Sequence, residues 1–255
     1  MRDLDQRLYA AALAGALVAA PACGPRASKR EPLRVAAASD LAFALPEIGA
    51  AFQKKTGAEV VFTFGSSGLL AKQIEEGAPY DVFASASQSY VDEVRDKHAC
   101  EGESVVLGRG QLVAWTRAGA APARLEDLAD PAWKRIAIAN PDHAPYGKAA
   151  VEALKSAGVY DAVRSRLVLG ESVQQALQFA ESGNADVSLV ALALALRSGG
   201  AFAPLPLDRY APIRQTAVLC NHARAVDHAA LGRALFELVA SDAGKEILGR
   251  YGFAP

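Results

Sequence analysis

The sequence predicts an α/β protein of two lobes, each a mainly parallel sheet flanked by helices and joined to the other by two crossings. Three observations carry this. From Leu33 onward short apolar runs alternate with segments of helical period, as βαβ units do. No fixed-period repeat or low-complexity tract breaks the alternation beyond the leader. Two long strand-like runs, Arg109–Thr116 and Ile213–Cys220, frame the middle of the chain, so 109–215 reads as a second lobe inserted in a first lobe made of 33–108 and 216–255.

Ahead of the first strand, residues 1–22 read as an export signal. Arg2 and Arg7 flank a short polar start, and an apolar stretch from Leu8 to Ala22 is too short to span a bilayer. It ends Ala20-Pro21-Ala22-Cys23, which is either a small-x-small cleavage site or a lipoprotein site that lipidates Cys23. Residues 23–32, polar and carrying Pro25, suit a linker. After the first strand, Leu41, Leu45, Ile48 and Phe52 form the stripe of an amphipathic helix that Gly57 ends. Pro46 favours an alternative, a short turn at 40–45 and a main helix from Pro46.

Strands are then predicted at Glu59–Phe64, Asp81–Ser85, Gln111–Thr116, Arg135–Ala139, Arg166–Leu169, Asp186–Ala191 and Ile213–Cys220. Helices fall at Leu69–Glu76, Gln88–Arg95, Lys148–Ala157 and Val173–Ser182, the last with a Ser172/Gln175 capping box and Gly183 as its stop. The stretches Ala118–Ala123 and Gly199–Pro206 read as loops, and Leu189–Leu196 as a buried strand running into a helix. Trp115 and Trp133 read as packing residues.

Charge excludes some functions. With 27 Lys+Arg against 28 Asp+Glu the net charge is −1, which gives no field for nucleic acid or an anionic membrane. An anion would have to be captured locally, and two turns fit that task. Ala37-Ala38-Ser39-Asp40 and Gly65-Ser66-Ser67-Gly68 each follow a strand-like run and precede a helical pattern. The first N–H groups of a helix lack internal partners and carry partial positive charge, a Ser hydroxyl adds a donor, and glycines let a ligand approach the backbone. The plainer reading is that Ser39 and Ser66 cap their helices.

Other chemistry is poorly supported. Gly65-Ser66-Ser67-Gly68 is not the Gly-x-Ser-x-Gly elbow of a secreted hydrolase, and His98, His143, His222 and His228 sit in polar contexts that read as solvated. Asp81 reads as a turn residue opening a strand. Cys100 and Cys220 fit no zinc spacing; they are either one disulfide of an exported protein or two separate core thiols.

Several stretches together resemble a known family. They are Ala36-Ala37-Ala38-Ser39-Asp40-Leu41, Phe62-Thr63-Phe64-Gly65-Ser66-Ser67-Gly68, the run from Gln73 to Ala86, Asn140-Pro141-Asp142-His143-Ala144-Pro145-Tyr146-Gly147, Gly170-Glu171-Ser172-Val173, Asp186–Ala191 and the ending Gly249–Phe253. In order and spacing they resemble the periplasmic molybdate/tungstate-binding proteins of ABC transporters, over essentially everything from Leu33. The resemblance implies a two-lobed periplasmic-binding-protein fold of type II. It implies a non-enzymatic, monomeric receptor without cofactor that closes on molybdate or tungstate and hands it to a membrane permease. The oxyanion is held through its oxygens, with no direct metal coordination.

Carried over by position, the donors are Ser39, Ser66, the Tyr146 N–H and the Val173 N–H, with Asp40 through its N–H and Ser67 as weaker candidates. Many relatives have a ligand-contacting Tyr where this chain has Ala191, and Tyr146 is the residue that could compensate. A carboxylate beside a dianion would repel it, so Asp40 is expected to point outward and contribute main chain alone. A receptor of the same fold for sulfate or phosphate is the alternative, although no Arg stands near to grip a phosphate ester.

Overall fold

The computed structural model describes residues 31–225 and 228–255. The expected signal segment and Cys23 lie outside the described residues.

Among the described residues ten strands run as β1 Leu33–Ala38, β2 Val60–Gly65, β3 Val82–Ser85, β4 Cys100–Gly110, β5 Leu112–Thr116, β6 Ile136–Ala139, β7 Leu167–Gly170, β8 Val187–Ala191, β9 Ala201–Pro204 and β10 Ile213–Cys220. The helices are α1 Ala44–Thr56, α2 Ser67–Glu75, α3 Gln88–Asp96, α4 Pro145–Ser156, α5 Tyr160–Val163, α6 Val173–Glu181, α7 Leu192–Ala195, α8 Asn221–Ala225, α9 Ala229–Ala240 and α10 Asp242–Arg250. Among the described residues no helix is long and apolar enough to cross a membrane.

They build two five-stranded sheets with the same plan. The first has the order β2-β1-β3-β10-β4 and the second β7-β6-β8-β5-β9. In each, one strand, β10 or β5, runs against four parallel neighbours. The chain leaves the first sheet after Gly110 and returns at Ile213.

Both faces of the first sheet are covered, which explains why its central strands read as continuous apolar runs rather than alternating ones. Val35, Ala37, Val82 and Ala84 face Leu45, Ile48 and Phe52 of α1 and Leu235 and Phe236 of α9. The intervening Ala36, Phe83 and Val218 face Leu70 and Ile74 of α2 and Val91 and Val94 of α3. Period-two alternation thus separates two buried clusters instead of core from water.

Most sequence expectations land within two residues, three are corrected, and of the two readings of the first helix the divided one stands, with the main helix from Ala44. The single strand expected at Arg109–Thr116 is broken at Gln111, so Arg109 and Gly110 end β4 in one sheet while β5 opens the other. The expected loop Gly199–Pro206 contains edge strand β9, whose Ala201 and Ala203 are too bland to announce a strand. The rest of β4, from Cys100 to Gly108, is not announced by the sequence, because Gly102 and Gly108 interrupt its pattern. The helix stripe from Leu41 is divided: Ser39–Leu41 form a 3-10 turn, and Pro46 falls in the first turn of α1, where its missing N–H costs nothing. Gly57, at φ 73°, ends α1 in the left-handed conformation as expected.

Cys100 and Cys220 are directly opposite residues of β4 and β10, and their sulfurs are bonded. Two histidines expected to be solvated are instead structural. His222 Nδ1 lies 2.8 Å and His228 Nδ1 3.1 Å from the two carboxyl oxygens of Asp81, which also accepts from the Arg34 N–H. Asp81 is fully buried, so it is a junction holding α8 and α9 to the foot of β3 rather than a surface turn residue.

Candidate functional site

The carboxyl ends of the parallel strands converge on one cavity, the usual place for a ligand in open α/β sheets. From the first sheet, β1 delivers the Ser39–Leu41 turn and β2 delivers Ser66 and α2. From the second, β6 leads through 140–144 into α4, and β7 leads to Ser172 and α6. The cavity is lined by Ser39, Asp40, Gly65, Ser66, Ser67, Ala86, Ala144, Pro145, Tyr146 and Val173 among others, none of them cationic. Three helix starts and a 3-10 turn therefore present their unpaired N–H groups and positive dipole ends to one point. A larger open cleft of about 410 Å³, beside Asp92, Arg95 and Cys100, lies at the C-terminal end of α3, the wrong end of a helix for an anion.

Every residue proposed from sequence as a donor is at this cavity and buried: Ser39, Asp40, Ser66, Ser67, Tyr146 and Val173. Neither Ser39 nor Ser66 is a capping residue in the hydrogen-bonded sense. Ser66 occupies the N-cap position of α2 without a side-chain cap bond, and the 3-10 turn begins at Ser39 itself, uncapped. By contrast Ser172 does cap α6, accepting from the Gln175 N–H at 3.2 Å, and Ser67 accepts from the Ala86 N–H at 3.0 Å, tying α2 to the end of β3. The return arm of the expected capping box goes elsewhere, since Gln175 accepts from the Glu171 N–H.

Asp40 corrects the sequence reading. Its side chain does not point outward; it is fully buried and accepts from Gln215 Nε2 of β10 at 2.6 Å. Burial dominates and pushes its pKa up to about 7, against lowering by Tyr146, Gln215 and the Asp40 and Leu41 N–H groups that face it. The Tyr146 phenol stands near this carboxyl, yet Tyr146 Oη, Asp40 Oδ1 and Gln215 Oε1 are all buried without a hydrogen bond of standard geometry. Burial first, then the Asp40 charge, drives the Tyr146 pKa far upward, so the phenol stays protonated. Half neutral near pH 7, an acid at this position repels an anion less than a full carboxylate would.

The Tyr146 hydroxyl is directed to the connection between the sheets. A Cβ at Gly110 would overlap Tyr146 Oη. On the other side of that connection the Leu112 N–H donates to Tyr210 Oη at 3.0 Å. Gly110→Ala is therefore expected to displace Tyr146 and cost about 1–3 kcal/mol, the usual range for overpacking. Denaturant melts would measure it, and an unchanged midpoint would show that the phenol has room to move.

His143 also departs from expectation, being mostly buried against α2. Ser66 Oγ lies 2.7 Å from both His143 Nδ1 and His143 O, and the Gly68 N–H donates to that same carbonyl at 2.9 Å. This contact does not make a hydrolase. The second imidazole nitrogen is 3.8 Å from Glu171, whose side chain is 69% exposed, so no buried acid orients the ring. Among the described residues no group of three His, Cys, Asp or Glu is placed to hold a metal ion.

The inward turn of the Asp40 side chain, and any place for Gln215 or His143 at the site, could not be read from sequence. These residues reach the site from separate parts of the chain, and the only signal was that Asp40 and His143 stand inside motifs already singled out.

Known proteins agree with this architecture. The family model for bacterial extracellular solute-binding proteins matches residues 33–254. The chain is 37% identical over 258 residues to the molybdate-binding protein ModA of Rhodobacter capsulatus, covering 99% of each. A solved periplasmic molybdate-binding protein from Azotobacter vinelandii superposes with a TM-score of 0.80 at 31% identity, covering 88% of this chain and 99% of that one. The sulfate-binding protein SubI of Mycobacterium tuberculosis shares the fold, with a TM-score of 0.76 at 13% identity, covering 88% of this chain and 86% of that one. With the same two-sheet plan and a cavity of helix starts between its strand ends, the chain belongs to the bacterial extracellular solute-binding protein family.

Proposed function

We propose that this protein is an extracytoplasmic receptor that captures molybdate, and tungstate with it, between two lobes and delivers the ion to the permease of an ABC transporter. The observation that carries the reading is that Ser39 and Ser66, at two helix starts facing one cavity, hold hydroxyls that do not cap their helices. The reading also draws on the molybdate-binding relatives. Ser39, Ser66 and the N–H groups of Tyr146 and Val173 are the donors. Asp40 sits beneath them as a neutral acid when protonated, and Ser67 braces α2.

Neutral donors suit this ion. A dianion stripped of water needs nearly every oxygen bonded, and fixed helix-end donors provide that without counter-charge. Their spacing then selects by size, because sulfate is smaller than molybdate and leaves donors unsatisfied, whereas tungstate does not.

Closure follows from where the donors come from, since Ser39 and Ser66 belong to the first sheet and Tyr146 and Val173 to the second. Only the shut form bonds both sides of the ion, so the ligand favours it by differential contact. An ion that must touch donors on both sheets enters when the lobes part. They part about the connections at Gly110–Leu112 and 205–213. The leader would export the chain to the periplasm, either free and monomeric or tethered by a lipidated Cys23.

Titration calorimetry with molybdate, tungstate, sulfate and phosphate tests the reading. Tight binding of the first two and no heat from the others is expected. Ser39→Ala and Ser66→Ala should each weaken binding by about 1–3 kcal/mol, roughly 5- to 150-fold. Sulfate or phosphate binding in place of molybdate would keep the fold and overturn the ligand.

A further inference from the structure

We infer that His143 is the positioning residue for Ser66: its Nδ1–H, reaching over from the second sheet's side of the cavity, holds Ser66 Oγ so that the serine's own proton can turn to the oxyanion. This rests on the receptor function proposed above.

The geometry fixes the direction of each bond. Ser66 Oγ carries one proton and has two His143 atoms at 2.7 Å. The carbonyl oxygen can only accept, so at that distance it takes the serine proton; otherwise two lone pairs would face each other. The contact to Nδ1 must then run the other way, from ring N–H to Oγ. The hydrogen-bond network thereby assigns the Nδ1–H tautomer.

This arrangement lets the hydroxyl change partner while Oγ stays held by the ring. When an oxyanion enters, the proton rotates about the Cβ–Oγ bond from His143 O to the ion, and Oγ draws back from His143 O so that their lone pairs do not meet at 2.7 Å. His143 O is not stranded, because it keeps the Gly68 N–H at 2.9 Å. Nδ1–H stays on Oγ throughout, and a hydroxyl that accepts one hydrogen bond donates a stronger one.

The seat for His143 is built on both sides. A Cβ at Gly68 would strike His143 O, His143 Cβ and the Tyr90 ring, so glycine here serves close approach. The loop behind His143 is braced, with the Ala144 N–H on Asn140 O at 2.9 Å, the Asp142 N–H on Asn140 Oδ1 at 3.0 Å and the Asn140 N–H on Gly170 O at 2.7 Å. That same loop leads into Tyr146. Closing the cleft therefore brings in two donors from the second sheet and orients a third on the first.

The test is a double-mutant cycle on molybdate affinity in the full chain. His143→Ala should weaken binding about 5- to 30-fold, while His143/Ser66→Ala together should be no more than about 2-fold weaker than Ser66→Ala alone. His143→Asn places an amide N–H where the ring Nδ1–H was and should stay within about 3-fold of the native chain. A merely structural loss would move neither the coupling nor the Asn rescue. Additive losses in the cycle, or His143→Asn as weak as His143→Ala, would overturn the inference while leaving the receptor intact. A native chain that binds no molybdate, or a Ser66→Ala variant that binds it undiminished, would remove the reading on which it stands.

Discussion

Taking the protein from pH 4 to pH 8 is expected to cost its fold about 4 kcal/mol through Asp40 alone, and Asp40→Asn should abolish that loss. Asp40 is fully buried and its pKa is raised from 3.8 to about 7. The folded chain thus holds a proton there that the unfolded chain releases near pH 4. Where the native state binds more protons, stability falls as pH rises. The contribution is complete below about pH 4, declines from pH 4 to pH 7 and is flat above. Each pKa unit is worth about 1.4 kcal/mol, and roughly three units of displacement give the figure.

Asparagine keeps the shape, can still accept from Gln215 Nε2 and adds an N–H for the unpaired Tyr146 Oη or Gln215 Oε1. Urea melts of both proteins at pH 4.5, 6 and 8 provide the measurement, and their difference cancels the carboxylates common to both. Parallel curves would mean that Asp40 titrates as an ordinary acid.

Reducing the Cys100–Cys220 bond should cost roughly 2–5 kcal/mol. The two cysteines are 120 residues apart in sequence, and the loop they close contains the whole excursion into the second sheet, from Gly110 to Ile213. Long loops lose the most chain entropy when unbridged, so the bond should stabilise chiefly by restraining the unfolded chain. Both residues are buried at a directly opposed strand pair, so Cys100→Ala/Cys220→Ala removes the link with little change of volume. Denaturant melts with and without reductant measure it, and coincident midpoints would show the bond to be energetically idle. Molybdate affinity should change little, because neither cysteine lines the cavity.

Much of the molecule was legible in the chain. Alternating apolar runs and helical periods place the α/β class because a parallel strand covered on both faces is predominantly apolar, as Val35–Ala38 is throughout and Val187–Ala191 is but for Ser188. Ser39 and Ser66 could be singled out because hydroxyls and glycine at strand-to-helix turns are a local signal. Gly57 and Ser172 marked helix ends for the same reason, since capping depends on a few neighbouring residues. β4 and β9 escaped notice because their pairing, not their composition, makes them strands.

The sequence by itself determined the layered α/β class, the positions of most elements and the turns that carry the serines, all of which follow from local propensity and periodicity. Tertiary structure alone decided that Asp40 is buried under Gln215, that His143 grips Ser66, that Asp81 binds two histidines and that Cys100 faces Cys220. Each of these pairs residues 77 to 175 positions apart. The energies that matter there, desolvation and the orientation of single protons, exist only once distant segments have excluded water between them.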